Sequence, residues 1–257
     1  MTQRLVDKKI LVTGASSGLG YAMADALLGE GARVAISARP GPRLEQVVNR
    51  WNGEGKQAIA LPMDVRSEES VTEARDWIAH HWGGLDLVVN NAGIGMRSVN
   101  PDFLSSPKPY FEVATNKFRD LIDTNLTGYF IVSRIFVSLF LAANKGRFVN
   151  ITMNHETMVR KGFVPYGPSR AGAEALSAIM TEDLRDLGIT VNQLLPGGAT
   201  DTGMIPESVP QSVRQKLLSP TVMAEPIIFL ASDAAQGITG ERIVAADWLS
   251  WKRQHGF

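Results

Sequence analysis

Three glycines near the start of the chain have the spacing of an anion site. In Thr13-Gly14-Ala15-Ser16-Ser17-Gly18-Leu19-Gly20 they stand at 14, 18 and 20, after the apolar run Ile10-Leu11-Val12 and before Leu19, Met23, Ala26 and Leu27 at helical spacing. A glycine turn between a strand and a helix lets the backbone approach a pyrophosphate. The helix then offers it free N–H groups and the positive end of its dipole. A glycine turn without a ligand is the plainer alternative; the strand before and the helix after favour phosphate.

The second apolar run ends Ile36-Ser37-Ala38-Arg39. A dinucleotide site for NAD places an acid here to take the ribose hydroxyls. Arg39 instead supplies charge-assisted bonds for a 2′-phosphate, which points to NADP. Asp64, after the third run, is placed either to accept from an adenine amino group or to close a turn. Further on, Tyr166 and Arg170 are four residues apart and share one face of a helix that tolerates Pro168 in its first turn.

The elements that must position these groups alternate. Strands are expected at 10–13, 34–37, 58–61, 87–90, 148–151, 190–195 and 242–244, and helices at 19–27, 44–51 and 68–81. Nearly continuous apolar strands separated by helices imply an α/β fold, a single doubly wound parallel sheet of about seven strands covered on both faces, with right-handed crossovers. No repeat or linker divides residues 1–257, which read as one domain. Gly95–Glu112 breaks the rhythm with Pro101, Pro107 and Pro109 and reads as a long, partly ordered loop.

Composition narrows the function classes. The chain has 257 residues, no cysteine, 26 Lys+Arg and 26 Asp+Glu. Disulfides, thiolate metal sites and catalytic thiols are excluded, and no metal is implied. Zero formal charge gives no electrostatic footprint for nucleic acid or an anionic membrane. The N-terminus is short and polar, and no apolar run reaches ~18 residues. A soluble cytoplasmic protein is expected.

Taken together, Thr13–Gly20, Asn90-Asn91-Ala92-Gly93, Asn125, Tyr166 in a YxxxK-like element, and Pro196-Gly197 resemble the short-chain dehydrogenase/reductase family, over about residues 8–247. The match of Ala38-Arg39 is to its NADP-preferring pattern. The resemblance implies a Rossmann fold holding NADPH through Gly14, Ser16, Ser17, Gly18, Leu19, Gly20, Arg39, Asp64, Val65, Asn91, Ala92, Gly93, Tyr166, Arg170, Pro196, Gly197 and Thr202. It implies Tyr166 as general acid/base, Asn125 as support for a proton-relay water, and Thr202 at the nicotinamide carboxamide. It also implies a homodimer or homotetramer built through two long helices, here about Phe118–Ala143 and Tyr166–Leu187. Ile131, Ile135, Leu139, Ala171, Ala175, Ala178 and Ile179 would suit that packing.

The chain departs from the family twice. The usual lysine is Arg170, which keeps the charge and the donors but cannot release a proton. The usual serine, thirteen positions before the tyrosine, is Met153, whose thioether donates nothing. Asn154 or Thr152 is expected to replace it, Asn154 being preferred; His155 reads as an exposed loop histidine. The expected activity is NADP(H)-dependent interconversion of a carbonyl and an alcohol, with Tyr166, Arg170, Asn125 and Asn154 as the catalytic group. Two rivals share these residues: an NADP-binding sensor or scaffold without turnover, and an enzyme of this fold running non-redox chemistry. Met96, Phe103, Tyr110 and Phe111, with Met204-Ile205-Pro206, are expected to wall the site for a mid-sized apolar substrate. The tail 248–257, with two tryptophans, is expected to cover the site or a neighbouring subunit.

Overall fold

The computed structural model describes residues 3–257. Seven parallel strands form one sheet in the order β3-β2-β1-β4-β5-β6-β7. They are β1 (Lys9–Thr13), β2 (Arg33–Ala38), β3 (Gln57–Pro62), β4 (Leu87–Asn90), β5 (Gly146–Ile151), β6 (Ile189–Leu195) and β7 (Arg242–Val244). All seven expected strands are present, five of them one or two residues longer than expected.

Alternation along the strands sorts side chains into two layers. Ile10, Val12, Val34, Ile36, Leu87 and Val89 face one side, where α1 (Gly18–Gly29), α2 (Pro42–Gly53) and α9 (Ala224–Ala231) cover them with Met23, Leu27, Trp51 and Ile227. Leu11, Ala35, Val88 and Phe148 face the other. There α3 (Glu68–Trp82) and α5 (Gly128–Ala143) bring Val71, Ile78, Phe136 and Phe140, and α7 (Tyr166–Leu184) adds Met180 and Leu184. Because β1 pairs β2 on one edge and β4 on the other, the strand order reverses at β1. A crevice opens at the carboxyl ends of strands where the order reverses in this way.

α4 (Thr115–Ile122), a π turn over Asp123–Thr127 and α5 run on as one continuous helix, Thr115–Ala143. It corrects the expectation of no sufficiently long apolar stretch: an 18-residue window reaches a mean hydropathy of 1.8. The run is interrupted by Arg134 and Ser138 on its exposed face and by Ser133, which is buried against Asn90 of β4, while Ile131, Val132, Phe136 and Phe140 pack on the sheet. Of the residues expected on a helix–helix surface, Ile131 packs into the sheet layer and Ile135 and Leu139 lie partly buried against it, whereas Ala171, Ala175, Ala178 and Ile179 are exposed, as are Phe130 and Leu141.

The tail does not reach the crevice. α10 (Trp248–Gln254) folds back on α9, with Trp248 and Trp251 stacked at 5.2 Å and both packed on Phe229. The segment 95–112 is a loop whose order is confined to turns, among them short 3-10 turns at Met96–Ser98 and Tyr110–Glu112.

Candidate active site

A cleft of about 880 Å³ lies at the carboxyl ends of the strands. Its floor begins at the glycine turn. Gly14 and Gly18 adopt φ of +64° and +61°, a region that side chains rarely enter, and a Cβ on Gly14 would lie 2.6 Å from the Ala92 Cα. The turn is braced from β4. Thr13 Oγ1 accepts from the backbone N–H groups of Asn91 and Ala92, and Asn91 Nδ2 donates to the carbonyls of Thr13 (2.8 Å) and Gly14 (3.2 Å). Asn91 therefore borders the cleft while its amide holds the turn. Gly20 is buried and does not line the cleft. Its hydrogen is needed because a Cβ would meet Asn91 Nδ2 at 2.4 Å and the Gly14 carbonyl at 2.6 Å. Gly14, Ser16, Ser17, Gly18 and Leu19 do line it, and Ser17, the residue before α1, makes no side-chain capping bond to the helix N–H groups.

The end of β2 supplies cations. Arg39 and Arg43 line the cleft, and neither has a hydrogen-bonding or ionic partner among the described residues. Beside them Ser37 is fully buried and lines the cleft, and its hydroxyl is without a partner among the described residues. An orphaned buried hydroxyl costs free energy unless a ligand satisfies it. Together with uncapped helix N–H groups and two free guanidiniums, it makes this end fit a phosphorylated ribose. Arg43 and Ser37 escaped the sequence reading because no spacing rule ties them to the glycines. Asp64 lines the cleft beside Val65, but its carboxylate is held by Arg66, Nε at 3.0 Å and Nη2 at 2.7 Å, and also accepts the Arg66 backbone N–H. The turn alternative describes it, and the Arg66 bond holds its pKa below the usual value.

At the other end, α7 starts at Tyr166, so Tyr166 and Arg170 share a face as their spacing requires. The Tyr166 hydroxyl points at the Met204 sulfur, 3.9 Å away, a weak acceptor. Arg170 lies beneath, its guanidinium carbon 5.5 Å from the centroid of the Tyr166 ring. It is buried without a carboxylate. Nη1 donates to the Tyr129 hydroxyl at 2.6 Å and to the Ile151 carbonyl at 2.9 Å, while Nε has no partner. Tyr129 was not foreseen, because it comes from α5, 41 residues away in sequence. Burial pushes its phenol pKa up. Gly93 makes room for this cation, since a Cβ there would meet Arg170 Nη2 at 2.4 Å and Asn125 Oδ1 at 3.0 Å.

Asn125 sits in the π turn, fully buried. Its amide donates to the Ile94 carbonyl (2.9 Å) and Ser169 Oγ (3.1 Å), and its carbonyl oxygen accepts the Ile94 N–H. Two of these bonds fix the backbone after Gly93 and the third ties the side chain to α7, and Asn125 does not border the cleft. Asn154 does border it, but its Nδ2 donates to the Gly197 carbonyl at 3.0 Å, which leaves one amide hydrogen uncommitted. Thr152 is corrected as a donor, because its hydroxyl is given to Glu174 at 2.7 Å. His155 is exposed as expected, yet pairs with the other Glu174 oxygen at 2.9 Å. Arg242 completes this anchor, bonding Glu174 at 3.0 Å and the Met153 carbonyl at 2.8 Å. Pro196, Gly197 and Thr202 line the cleft opposite.

Met153 packs with Tyr166, Met96, Phe103 and Phe163 in one apolar cluster. Four of the seven residues expected to wall the site line the cleft: Met96, Phe103, Met204 and Ile205. Tyr110 and Phe111 are 72% and 73% exposed and stand outside it, because Pro107 and Pro109 carry the loop away after Phe103. Met204 and Ile205 border the cleft; Pro206 does not.

Comparison with known proteins agrees with this geometry. Residues 8–212 match the model of the short chain dehydrogenase family. The chain is 30% identical over 254 residues to the 3-oxoacyl-acyl-carrier-protein reductase FabG of Aquifex aeolicus, covering 95% of this chain and 97% of that one. It is 30% identical over 193 residues to the 5-keto-D-gluconate 5-reductase of Escherichia coli K12, covering 75% and 72%. A short chain dehydrogenase structure from Shigella flexneri, complexed with NADP, superposes with a TM-score of 0.84 at 26% identity, covering 96% of this chain and 100% of that one. The doubly wound sheet, the glycine turn beneath the cleft and the tyrosine at its far end accordingly have one common explanation: the chain belongs to the short-chain dehydrogenase family of oxidoreductases.

Proposed function

We propose that the protein is an NADP(H)-dependent oxidoreductase that interconverts a carbonyl and an alcohol on a mid-sized apolar substrate. One observation carries the reading: Tyr166 lines the cleft, its hydroxyl has only the Met204 thioether as a hydrogen-bond acceptor among the described residues, and a buried guanidinium lies against its ring. A phenol so placed is free to give a proton to a carbonyl oxygen, or to take one from an alcohol. Arg170 stabilises the phenolate that remains. NADP(H), when bound, supplies or accepts the hydride. The glycine turn and the α1 N-terminus hold its pyrophosphate, Arg39, Arg43 and Ser37 its 2′-phosphorylated ribose, and Pro196–Thr202 its nicotinamide end. Asn154 contributes its remaining amide hydrogen to the substrate oxygen, and Asn125 acts by fixing the backbone beside Arg170. The exposed apolar side chains Phe118, Phe130, Leu141 and Ile179 on the α4–α5 and α7 surfaces support a homodimer or homotetramer.

A second reading, cofactor binding with little turnover, is favoured by the commitment of Thr152 to Glu174 and of Asn154 to Gly197 around Met153. A fluorescence titration with NADPH and NADH, followed by a carbonyl panel read at the NADPH absorbance, decides between them. Tighter binding of NADPH with its consumption on a carbonyl supports the oxidoreductase. Binding without consumption across the panel supports the second reading. Tyr166→Phe should abolish consumption and spare NADPH binding; unchanged turnover refutes the proposed role.

A further inference from the structure

The substrate end of the cleft holds one cation that nothing above uses. Arg160 follows α6 (His155–Met158) and lines the cleft. The Phe163 N–H donates to its carbonyl at 3.1 Å, closing a turn that brings the guanidinium carbon to 5.4 Å from the centroid of the Phe163 ring. Phe163 in turn packs edge-on against Phe103 at 5.6 Å, inside the apolar cluster that includes Met153 and Tyr166. The guanidinium is thus held at the edge of the pocket by an aromatic face. It has no carboxylate or hydrogen-bonding partner among the described residues. The acids that line the cleft, Asp64 and Asp120, belong to the opposite end, beside Arg66.

The other polar side chains near Tyr166 are largely committed to the protein. Ser98 Oγ donates to the Gly95 carbonyl at 2.8 Å, Thr152 to Glu174, and Asn154 to Gly197. A substrate here meets thioethers and aromatic rings around its reacting carbon and one unpaired positive charge at the rim. We infer that the substrate is an apolar carbonyl or hydroxy compound ending in a carboxylate, with Arg160 as the residue that selects the acid end. A polyhydroxy acid such as the 5-keto-D-gluconate named for one relative has the charge, but would bury hydroxyls against Met96, Phe103, Met153 and Phe163 without partners. An apolar chain with one terminal anion leaves nothing unpaired.

The inference rests on the reading of Tyr166 as the proton-transferring group, so its test uses a probe that needs no chemistry. Octanoate and 1-octanol share an apolar chain and differ in charge. Their binding to the NADPH-loaded protein is measured by calorimetry, in wild type, Arg160→Met and Arg160→Lys. Arg160 is exposed, and an exposed ion pair is worth up to about fivefold in affinity. Octanoate should therefore bind about twofold to fivefold more tightly than octanol in wild type. The preference should disappear in Arg160→Met and return in large part in Arg160→Lys. An NADPH titration of each variant confirms an intact fold. Equal affinities in wild type, or a preference that survives Arg160→Met, overturns the inference. Consumption of NADPH on (ω−1)-oxo acids of six to ten carbons against their methyl esters is the second arm. Selection of octanoate without turnover of any oxo acid would leave the acid site standing and refute the oxidoreductase reading alone. Turnover that favours the esters would do the reverse.

Discussion

Replacing Arg170 with methionine separates what the site needs from what the fold needs. The guanidinium is buried against the Tyr166 ring and donates to two neutral acceptors, the Tyr129 hydroxyl at 2.6 Å and the Ile151 carbonyl at 2.9 Å, with no carboxylate partner among the described residues. Taking an ion out of water costs several kcal/mol even after relaxation. Two charge-assisted bonds return about 1.5–3 kcal/mol each, and the unpartnered Nε forfeits about 1–3 kcal/mol. These terms nearly cancel. Deleting the cation leaves no orphan behind, because the Tyr129 hydroxyl still donates to the Ile151 carbonyl at 3.2 Å. Methionine also fills much of the same volume. Thermal unfolding of the ligand-free Arg170→Met protein should therefore match wild type or exceed it by about 1 kcal/mol, which is roughly 2–4 °C for a chain of this size. With saturating NADPH the order should invert. The ligand contributes RT ln(1 + [L]/Kd), and a tenfold loss of affinity removes about 1.4 kcal/mol of it. Turnover should fall by at least about a hundredfold, the loss typical of a preorganised charge. A ligand-free variant destabilised by about 3 kcal/mol or more would refute the reasoning, because Arg170 would then be a structural cation first.

Three other outcomes can be measured with the same material. Met153→Ser should raise kcat by roughly tenfold or more if the missing hydroxyl limits rate, at about 2 kcal/mol of stability for the thioether removed from among Met96, Phe103 and Phe163; steady-state kinetics and denaturant unfolding read both, and no gain would leave Asn154 as the donor. Gly14→Ala should lose about 1–3 kcal/mol and most NADPH affinity, since the new Cβ meets Ala92 at 2.6 Å on a backbone at φ +64°; wild-type-like unfolding would contradict that geometry. The third concerns pH. Arg66 holds the folded-state pKa of Asp64 below its ordinary value of 3.8, so the stabilising contribution is present above that value and is lost as pH falls through the lower, folded-state one. Urea unfolding below pH 4 should therefore weaken wild type more steeply than Asp64→Asn, and parallel slopes would show that the pair contributes nothing.

The alternation of apolar strands and amphipathic helices determined the architecture, because burial on both faces of a parallel sheet leaves little choice of pattern. The glycine turn was equally legible: positive φ and close backbone approach are local demands, met by residue type at fixed spacing. Tyr166 and Arg170 were readable as neighbours because a helix puts positions four apart on one face. The sequence could not tell which polar groups would remain free. Asn154 is the preferred donor by residue type and Thr152 the alternative, but Gly197 and Glu174, 43 and 22 residues away, claim a hydrogen of each. Tyr129 and Arg160 carried no spacing signal at all, one being an aromatic in an apolar helix and the other a charge in a short turn. Which face of the Thr115–Ala143 helix meets the sheet, and where the tryptophan tail folds, depended on contacts between distant elements. Local periodicity specifies elements and turns. The pairing of buried polar groups is a property of the assembled interior, because each donor is satisfied by whatever folding brings within 3 Å or so of it.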